Sequence, residues 1–261
     1  MGHKPVVLVT RPEGQASPLC DQLRDLGFEV RSEPMLELAS LESLSEAAIR
    51  SINQLDQYDH IIFISGNAVR FGMHWIRPRW PKLPAGPNWF AVGDSTAMQL
   101  QEQGVPAMGG GPQMTSESLL AHPILHKVAG QAVLIVKGEG GRVSLREELS
   151  RRGAKVDDLA CYRRESPVMA TGELAEKLSL WQPQLVLISS GEALENMLAL
   201  LSPQESTKLT VLPLIVPSAR VARIATNRGF TNVRSAANAS DAAMLQVAQE
   251  WRQTNFSGIG E

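Results

Sequence analysis

Short apolar runs and amphipathic stretches alternate along the whole chain. The first run, at residues 5–10, is rich in valine, and an apolar stripe at helical spacing follows it over residues 16–26. Such runs are typical of parallel strands buried on both faces, and such a stripe is typical of a helix packed against them. The same patterns predict further strands at residues 28–31, 59–64, 89–92, 132–136, 185–188 and 214–216. The predicted fold class is therefore α/β, with helices covering parallel sheets.

The sequence repeats itself at a separation close to 125 residues. Residues 26–30 match residues 152–156 at a separation of 126, whereas Ser65 falls on Ser189 at a separation of 124. Two segments that resemble connecting strands, 33–39 and 159–165, are also 126 residues apart. A fixed period marks a repeated structural unit, so the sequence predicts two copies of one α/β unit.

The repeat alone does not decide how the chain is shared between the two copies. Two tandem units fit the pattern as well as two lobes between which the chain crosses twice. The last helix is predicted to end near Trp251, and the polar, glycine-bearing residues 252–261 are predicted to form a disordered tail.

Composition and charge mainly exclude classes of partner and of site. Of the 261 residues, 43% are hydrophobic and 20% are charged, and a net charge of −2 gives no electrostatic reason to expect nucleic acid or an anionic membrane as partner. No apolar run has the length of a membrane span, and two cysteines are too few for a disulfide framework, so we expect a cytoplasmic protein. We expect no metal site, because Pro123 separates the histidine pair at helical spacing, His122 and His126.

Small hydroxyl residues, glycines and a few cations follow the predicted strands. In open parallel sheets, ligands bind beyond the carboxyl ends of the strands, where helix N-terminal amides favour anions. The simpler alternative for any one serine is helix capping. Together, these residues predict a site for a phosphate or for a molecule with several carboxylates: Arg11, Ser65, Ser95, Ser116, Lys137, Arg142, Ser189, Ser190, Ser218 and Ser240.

The glycine-rich turn at residues 137–142 does not match a nucleotide-binding motif. It lacks the spacing of a dinucleotide-binding loop and the Gly-Lys-Ser/Thr of a phosphate-binding loop. The sequence also lacks a nucleophile elbow and an acidic triad for magnesium. The residues themselves therefore predict a two-lobed α/β protein that binds an anionic small molecule.

Several short motifs resemble the uroporphyrinogen-III synthase family, and they run from about residue 6 to residue 248. Each is short, and their order and spacing carry the resemblance: Val9-Thr10-Arg11-Pro12, Phe63-Ile64-Ser65, Ala91-Val92-Gly93, Lys137-Gly138-Glu139-Gly140-Gly141-Arg142, Cys161-Tyr162-Arg163 and Ser190-Gly191-Glu192. The resemblance implies two flavodoxin-like parallel-sheet lobes joined by a two-stranded linker. One lobe would hold residues 1–35 and 165–251, the other residues 40–158, and the linker strands residues 33–39 and 159–165.

The resemblance also implies an enzyme, a lyase of haem biosynthesis. The family closes the linear tetrapyrrole hydroxymethylbilane into uroporphyrinogen III, with loss of water, inversion of ring D and no cofactor. We expect a monomer, and hand-over of the substrate from the upstream bilane-forming enzyme stays open. The alternative from another class is a non-catalytic two-lobed protein that binds an anionic ligand.

The site implied by the resemblance is centred on Tyr162. This residue matches the linker tyrosine that is proposed to help the substrate hydroxyl leave, and its alternative role is packing within the linker. Some family members have an arginine where Asn67 stands and a threonine where Ala219 stands, so carboxylate contacts there do not carry over directly. The predicted substrate-binding residues are Arg11, Ser65, Asn67, Ser95, Ser116, Lys137, Gly140, Gly141, Arg142, Ser189, Ser190 and Ser218.

Overall fold

The structure, a computed structural model, describes residues 4–109, 116–140 and 144–256. The chain divides into two compact units. Unit 1 combines the N-terminal segment up to Glu37 with the segment from Glu165 onward, and unit 2 is Leu38–Arg164. The chain therefore passes from one unit to the other twice, after Glu37 and after Arg164.

Strands and helices alternate through both units. The strands are β1 (Val6–Val9), β2 (Glu29–Ser32), β3 (Glu37–Ser40), β4 (His60–Phe63), β5 (Asn88–Ala91), β6 (Met108–Gly109), β7 (Ala132–Gly138), β8 (Lys155–Glu165), β9 (Leu185–Leu187), β10 (Leu214–Val216) and β11 (Val233–Ser235). The helices are α1 (Ser17–Asp25), α2 (Glu46–Asn53), α3 (Gly66–Ile76), α4 (Asp94–Glu102), α5 (Ser116–Leu120), α6 (Ser144–Arg151), α7 (Glu173–Trp181), α8 (Gly191–Ala199), α9 (Pro203–Leu209), α10 (Ala219–Asn227) and α11 (Asp241–Phe256).

The two units have the same sheet topology, entered by the chain at different points. The strand order is β11-β10-β9-β1-β2 in unit 1 and β3-β8-β7-β4-β5-β6 in unit 2. Apart from β3, the orders coincide when β1 and β2 are matched with β7 and β8, and β9–β11 with β4–β6. Unit 1 has the flavodoxin-like order 2-1-3-4-5, and unit 2 is a circular permutation of it. The predicted α/β class with parallel sheets is confirmed.

The central strands of each sheet are buried on both faces, which explains the uninterrupted apolar runs. Along β7, Leu134 and Val136 belong to one apolar cluster of unit 2, and Val133 and Ile135 belong to the other. In unit 1 the valines on either side of Leu8 point into the opposite core from Leu8 itself. Successive side chains of a strand point to opposite faces, so a strand covered by helices on both sides needs apolar residues at every position.

The positions of the strands correct one of the two separations read from the sequence. β1 and β7 begin 126 residues apart, as predicted, but β4 and β9 begin 125 residues apart rather than 124. The structural equivalent of Ser65 is therefore Ser190, and the match with Ser189 was wrong by one residue. Short motifs with adjacent serines allow both alignments, and only the start of the helix separates them.

The last helix is longer than predicted. Instead of ending near Trp251, α11 continues to Phe256. The Phe256 ring packs against Trp251 with ring centroids 5.6 Å apart, and Trp251 in turn stacks on Phe28. The predicted disordered tail, 252–261, is thus wrong for residues 252–256, whose apolar contact extends the helix, and residues 257–261 lie outside the described part of the chain.

We propose that each unit folds independently, and a pair of fragments of nearly equal length tests this. Residues 38–164 contain every strand of the unit 2 sheet apart from Glu37 at the start of β3 and Glu165 at the end of β8, so this fragment is expected to unfold in one cooperative transition in urea. Residues 1–126 lack β7, the strand between β4 and β8, and are expected to show no cooperative transition. The reverse outcome would favour tandem units.

Candidate functional site

The carboxyl edge of the unit 1 sheet brings together candidate residues from three neighbouring strands. β10, β9 and β1 lie side by side, and Ser218, Ser190 and Arg11 follow them in that order. Because the three strands are parallel, their carboxyl ends lie at one edge of the sheet. This edge is the position at which α/β sheets bind ligands.

Three of the predicted substrate-binding serines are helix N-caps. Ser65, Ser190 and Ser218 precede α3, α8 and α10, and each side-chain oxygen accepts a hydrogen bond from the amide three residues later, at 3.2, 3.0 and 3.4 Å respectively. The capping alternative therefore holds for all three, and also for the candidate Ser240, whose side-chain oxygen accepts a hydrogen bond from the amide of Ala243 at 3.3 Å before α11. A cap occupies one first-turn amide, and the other amides without a helical partner are the groups to which an anion could bind.

Ser189 has a different role from Ser190. Its amide donates to the hydroxyl oxygen of Thr10 at 3.3 Å, and its own hydroxyl donates to the carbonyl oxygen of Thr10 at 3.4 Å. The Thr10 hydroxyl is buried and donates to the carbonyl oxygen of Leu187 at 2.9 Å. Thr10 and Ser189 thus join the ends of β1 and β9. Sequence reasoning missed Thr10 as a site residue, although a polar residue closing a valine-rich run was a visible signal.

The charge of Arg11 is compensated within unit 1. Its guanidinium forms an ion pair with Asp241, the first residue of α11, and donates to the carbonyl oxygen of Ala239 at 2.8 Å. The Arg11 side chain is only 14% exposed. A ligand carboxylate at Arg11 would therefore compete with Asp241, a partner that the sequence does not reveal because it lies 230 residues away.

In unit 2 the candidate residues follow β4, β5, β6 and β7, which lie side by side in the sheet in the order β7-β4-β5-β6. Ser65 and Asn67 lie at the start of α3, and Ser116 begins α5. Ser95 lies exposed in the first turn of α4, but the N-cap of α4 is Gly93, with φ of +88°. The capping alternative therefore does not hold for Ser95, because Gly93 is the N-cap and its lack of a side chain leaves α4 without a side-chain cap.

Lys137 lies in a strand and not in the predicted turn. β7 continues through Lys137 to Gly138, because β8 is long enough to pair with it. The Lys137 ammonium lies 3.8 Å from a carboxylate oxygen of Asp158, and the Arg146 guanidinium lies 3.1 Å from the other oxygen. Two cations share one carboxylate, so the group keeps a positive charge at the carboxyl edge of the unit 2 sheet.

The turn that follows β7 is described only in part. Gly140 has φ of +65°, and an added Cβ would have no atom of the described residues within 4 Å, so none of their side chains blocks the approach of a ligand to the backbone there. The predicted site residues Gly141 and Arg142 lie outside the described residues.

Tyr162 is completely buried in unit 2. Its ring stacks on Phe71 with centroids 5.1 Å apart and planes 24° apart, and the exposed Arg164 guanidinium lies 5.9 Å from the ring centroid. The Tyr162 hydroxyl is buried without a hydrogen-bond partner among the described residues. Leaving such a group unpaired costs roughly 1–3 kcal/mol, so this hydroxyl does not serve the fold as a hydrogen-bonding group.

A β-bulge turns Tyr162 inward. Lys137 pairs with Ala160 and Gly138 pairs with Tyr162, so Cys161 is the extra residue in β8. In a regular strand, neighbouring side chains point to opposite faces, but Cys161 and Tyr162 both lie in the same apolar cluster. Burial raises the pKa of the Cys161 thiol to about 12, which makes Cys161 unsuited to act as a nucleophile.

A comparison with protein families shows where the chain belongs. The family model described as uroporphyrinogen-III synthase HemD matches residues 17–246. The chain belongs to the uroporphyrinogen-III synthase family. Among curated relatives, the uroporphyrinogen-III synthase of Escherichia coli K12 is 32% identical over 252 residues, which cover 93% of this chain and 99% of the relative. The Salmonella typhimurium LT2 protein of the same name is 31% identical, with the same coverage.

Solved structures of uroporphyrinogen-III synthases share the fold. A structure from the extreme thermophile Thermus thermophilus has a TM-score of 0.62 at 18% identity, covering 96% of this chain and all of that one. One from Helicobacter pylori 26695 has a TM-score of 0.60 at 14% identity, with the same coverage. Within the described ranges, no helix is long and apolar enough to cross a membrane, and no group of three or more His, Cys, Asp or Glu residues could hold a metal ion.

The different roles of the two adjacent serines give a prediction about stability. Ser190→Ala removes the N-cap of α8 and is expected to lower the free energy of unfolding by about 1 kcal/mol. Ser189→Ala, the matched control, removes only a hydroxyl bond of 3.4 Å and is expected to cost less. Urea denaturation measures both, and an equal or larger loss for Ser189→Ala would contradict the assignment of the cap.

Proposed function

We propose that this chain closes hydroxymethylbilane into uroporphyrinogen III, with loss of water and inversion of ring D. The observation that carries the proposal is its match to uroporphyrinogen-III synthases along nearly their whole length. Two parallel sheets with polar residues at their carboxyl edges are consistent with an enzyme that binds a large anionic substrate.

The substrate offers eight carboxylates, and each unit offers groups that bind carboxylates. Helix N-termini at Ser65, Ser190 and Ser218 present first-turn amides. The buried charge of Lys137 and the charge of Arg11 lie beside Asp158 and Asp241 respectively, so binding there means exchange of one carboxylate partner for another. Such exchange favours a ligand with many carboxylates over one with a single carboxylate, because the contacts act together.

The chemistry requires orientation more than reactive groups. Loss of the substrate hydroxyl gives an azafulvene cation whose charge the pyrrole chain itself stabilises. The substituted carbon of ring D then attacks, through a spirocyclic pyrrolenine, and direct closure without inversion is the competing path. The protein therefore has to hold rings A and D so that the inverted path is favoured.

Tyr162 is the proposed proton donor to the departing hydroxyl. A phenol is protonated near neutral pH, and its donation stabilises the negative charge that develops on the leaving oxygen. The unpartnered hydroxyl supports this role, since nothing within the described residues competes for its proton. Because the hydroxyl is buried in this structure, donation to the substrate requires a change that exposes it.

The setting of the reaction follows from the same proposal. We propose that the chain acts as a monomer in the cytoplasm, without a cofactor or a metal. Hydroxymethylbilane can close without inversion when no enzyme guides it, so we also propose hand-over from the upstream bilane-forming enzyme. Direct transfer would shorten the time that the substrate spends in solution.

Product analysis tests the function directly. The purified protein is incubated with hydroxymethylbilane, and the cyclised product is identified after oxidation to the porphyrin, with heat-denatured protein as the control. We expect type III product with the native protein and type I with the control. Retention of unreacted substrate on the protein without type III product would instead favour the binding-protein alternative.

A second prediction separates the two tyrosines of unit 2. Tyr162→Phe is expected to slow type III formation by about 10²-fold, the lower end for general acid help, and to raise the share of type I. Its melting temperature should stay the same or rise slightly, because the lost hydroxyl had no partner.

Tyr58→Phe is the matched control. It loses a 2.9 Å hydrogen bond to Asp157 and is expected to lower stability by about 1 kcal/mol without changing the isomer ratio. Thermal melts and product analysis are run on both variants. An unchanged rate and isomer ratio in a folded Tyr162→Phe protein would make Tyr162 a packing residue.

A further inference from the structure

The Tyr162 ring is held by two close contacts. Its face stacks on Phe71, which is itself buried. At Gly138, an added Cβ would lie 2.7 Å from Cζ of Tyr162, the carbon that carries the hydroxyl. The backbone of β7 therefore approaches the hydroxyl-bearing end of the ring more closely than any other residue type would permit.

The position of Phe71 is in turn fixed by the packing of α3 on β7. The next residue is Gly72, where an added Cβ would lie 2.5 Å from Cγ1 of Val136 and 3.2 Å from the Phe63 ring. Helix α3 thus lies against the sheet at a distance that only a glycine allows. Phe71 has little freedom to move away from Tyr162, and the stack is part of the packed core of unit 2.

The stack opposes a motion that the hydroxyl would otherwise favour. A buried hydroxyl without a partner is unfavourable, and a ring free to shift would move until the hydroxyl met an acceptor or solvent. The contacts at Phe71 and Gly138 prevent this among the described residues. They keep the hydroxyl unbonded and its direction fixed until the change that exposes it, which is the condition of a donor reserved for a ligand.

We infer that Phe71 is a positioning residue that holds the Tyr162 ring and so sets the direction from which its hydroxyl, once exposed, reaches the leaving group, and through it the ratio of type III to type I product. The inference rests on the proposed function and adds a residue to it. In this proposal Phe71 does not contact the substrate, and it acts only through Tyr162.

A double-mutant cycle tests the inference in the full-length chain. Phe71→Leu is made in the native chain and in the Tyr162→Phe chain, and the rate, the isomer ratio and the melting temperature of all four proteins are measured with hydroxymethylbilane. In the native background, Phe71→Leu is expected to slow type III formation by up to about 10²-fold, as expected for a misplaced catalytic group, and to raise the share of type I. In the Tyr162→Phe background it is expected to change neither.

The melting temperature provides the contrast. The lost ring contact should lower it by the same amount in both backgrounds, because packing does not depend on the hydroxyl. Phe71→Tyr keeps the stack and is expected to retain the native isomer ratio. An isomer ratio that Phe71→Leu leaves unchanged in the native chain, or changes equally in both backgrounds, would overturn the positioning role.

Gly138→Ala probes the same geometry without altering Phe71. Its added methyl group must displace the Tyr162 ring, so it is expected to raise the type I share only when the hydroxyl is present. Gly86→Ala is the matched control, since nothing lies within 4 Å of the added Cβ. If Phe71→Leu does not fold, the comparison of Gly138→Ala with Gly86→Ala tests whether the position of the Tyr162 ring controls the isomer ratio. Type III product from the native chain upholds the proposed function whatever the variants do, and its absence would refute that function separately.

Discussion

Burial of both faces of the central strands of each sheet is the constraint on which the rest of this structure depends. A strand covered by helices on both sides has no solvent-facing positions, so side chains that bind or react are placed at the carboxyl ends of the strands or close to them, as Lys137 and Tyr162 are. Thr10, Ser65, Ser190 and Ser218 all occur there. The unit is repeated by circular permutation, and the repeat therefore yields two edges of the same kind, each with helix N-termini for anionic groups.

The same constraint decides what the sequence could predict. Apolar runs located the buried strands, and the repeat located the equivalent turns, because both are local patterns. The pairing of Arg11 with Asp241 could not be predicted, since it joins residues from opposite ends of the chain. The choice between Ser189 and Ser190 depended on where α8 begins. The bulge opposite Gly138 depended on pairing between β7 and β8, which no local pattern records.

The two candidate cations show how an anion site can exist within a stable unit. A buried cation without a partner is costly, and each of these has an aspartate nearby. The two cations differ in how closely they contact their partners. Arg11 donates a hydrogen bond to Asp241, whereas Lys137 lies 3.8 Å from Asp158, an aspartate that it shares with Arg146. Lys137 thus has unused hydrogen-bonding capacity toward its described neighbours. Lys137 therefore gives up fewer hydrogen bonds than Arg11 when a ligand carboxylate binds.

The two tyrosines of unit 2 differ in whether their hydroxyl groups have a partner in the protein. Tyr58 is a structural residue: its hydroxyl bonds to Asp157, and burial first, then that carboxylate, raises the pKa of Tyr58 to about 12. Tyr162 is buried at least as deeply, yet its hydroxyl is left unbonded among the described residues by a bulge, a stacked ring and a glycine. A fold selected for stability alone would have bonded the hydroxyl or replaced it with a phenylalanine. The cost of this unbonded hydroxyl is explained if its partner is the substrate, as the role proposed for Tyr162 requires.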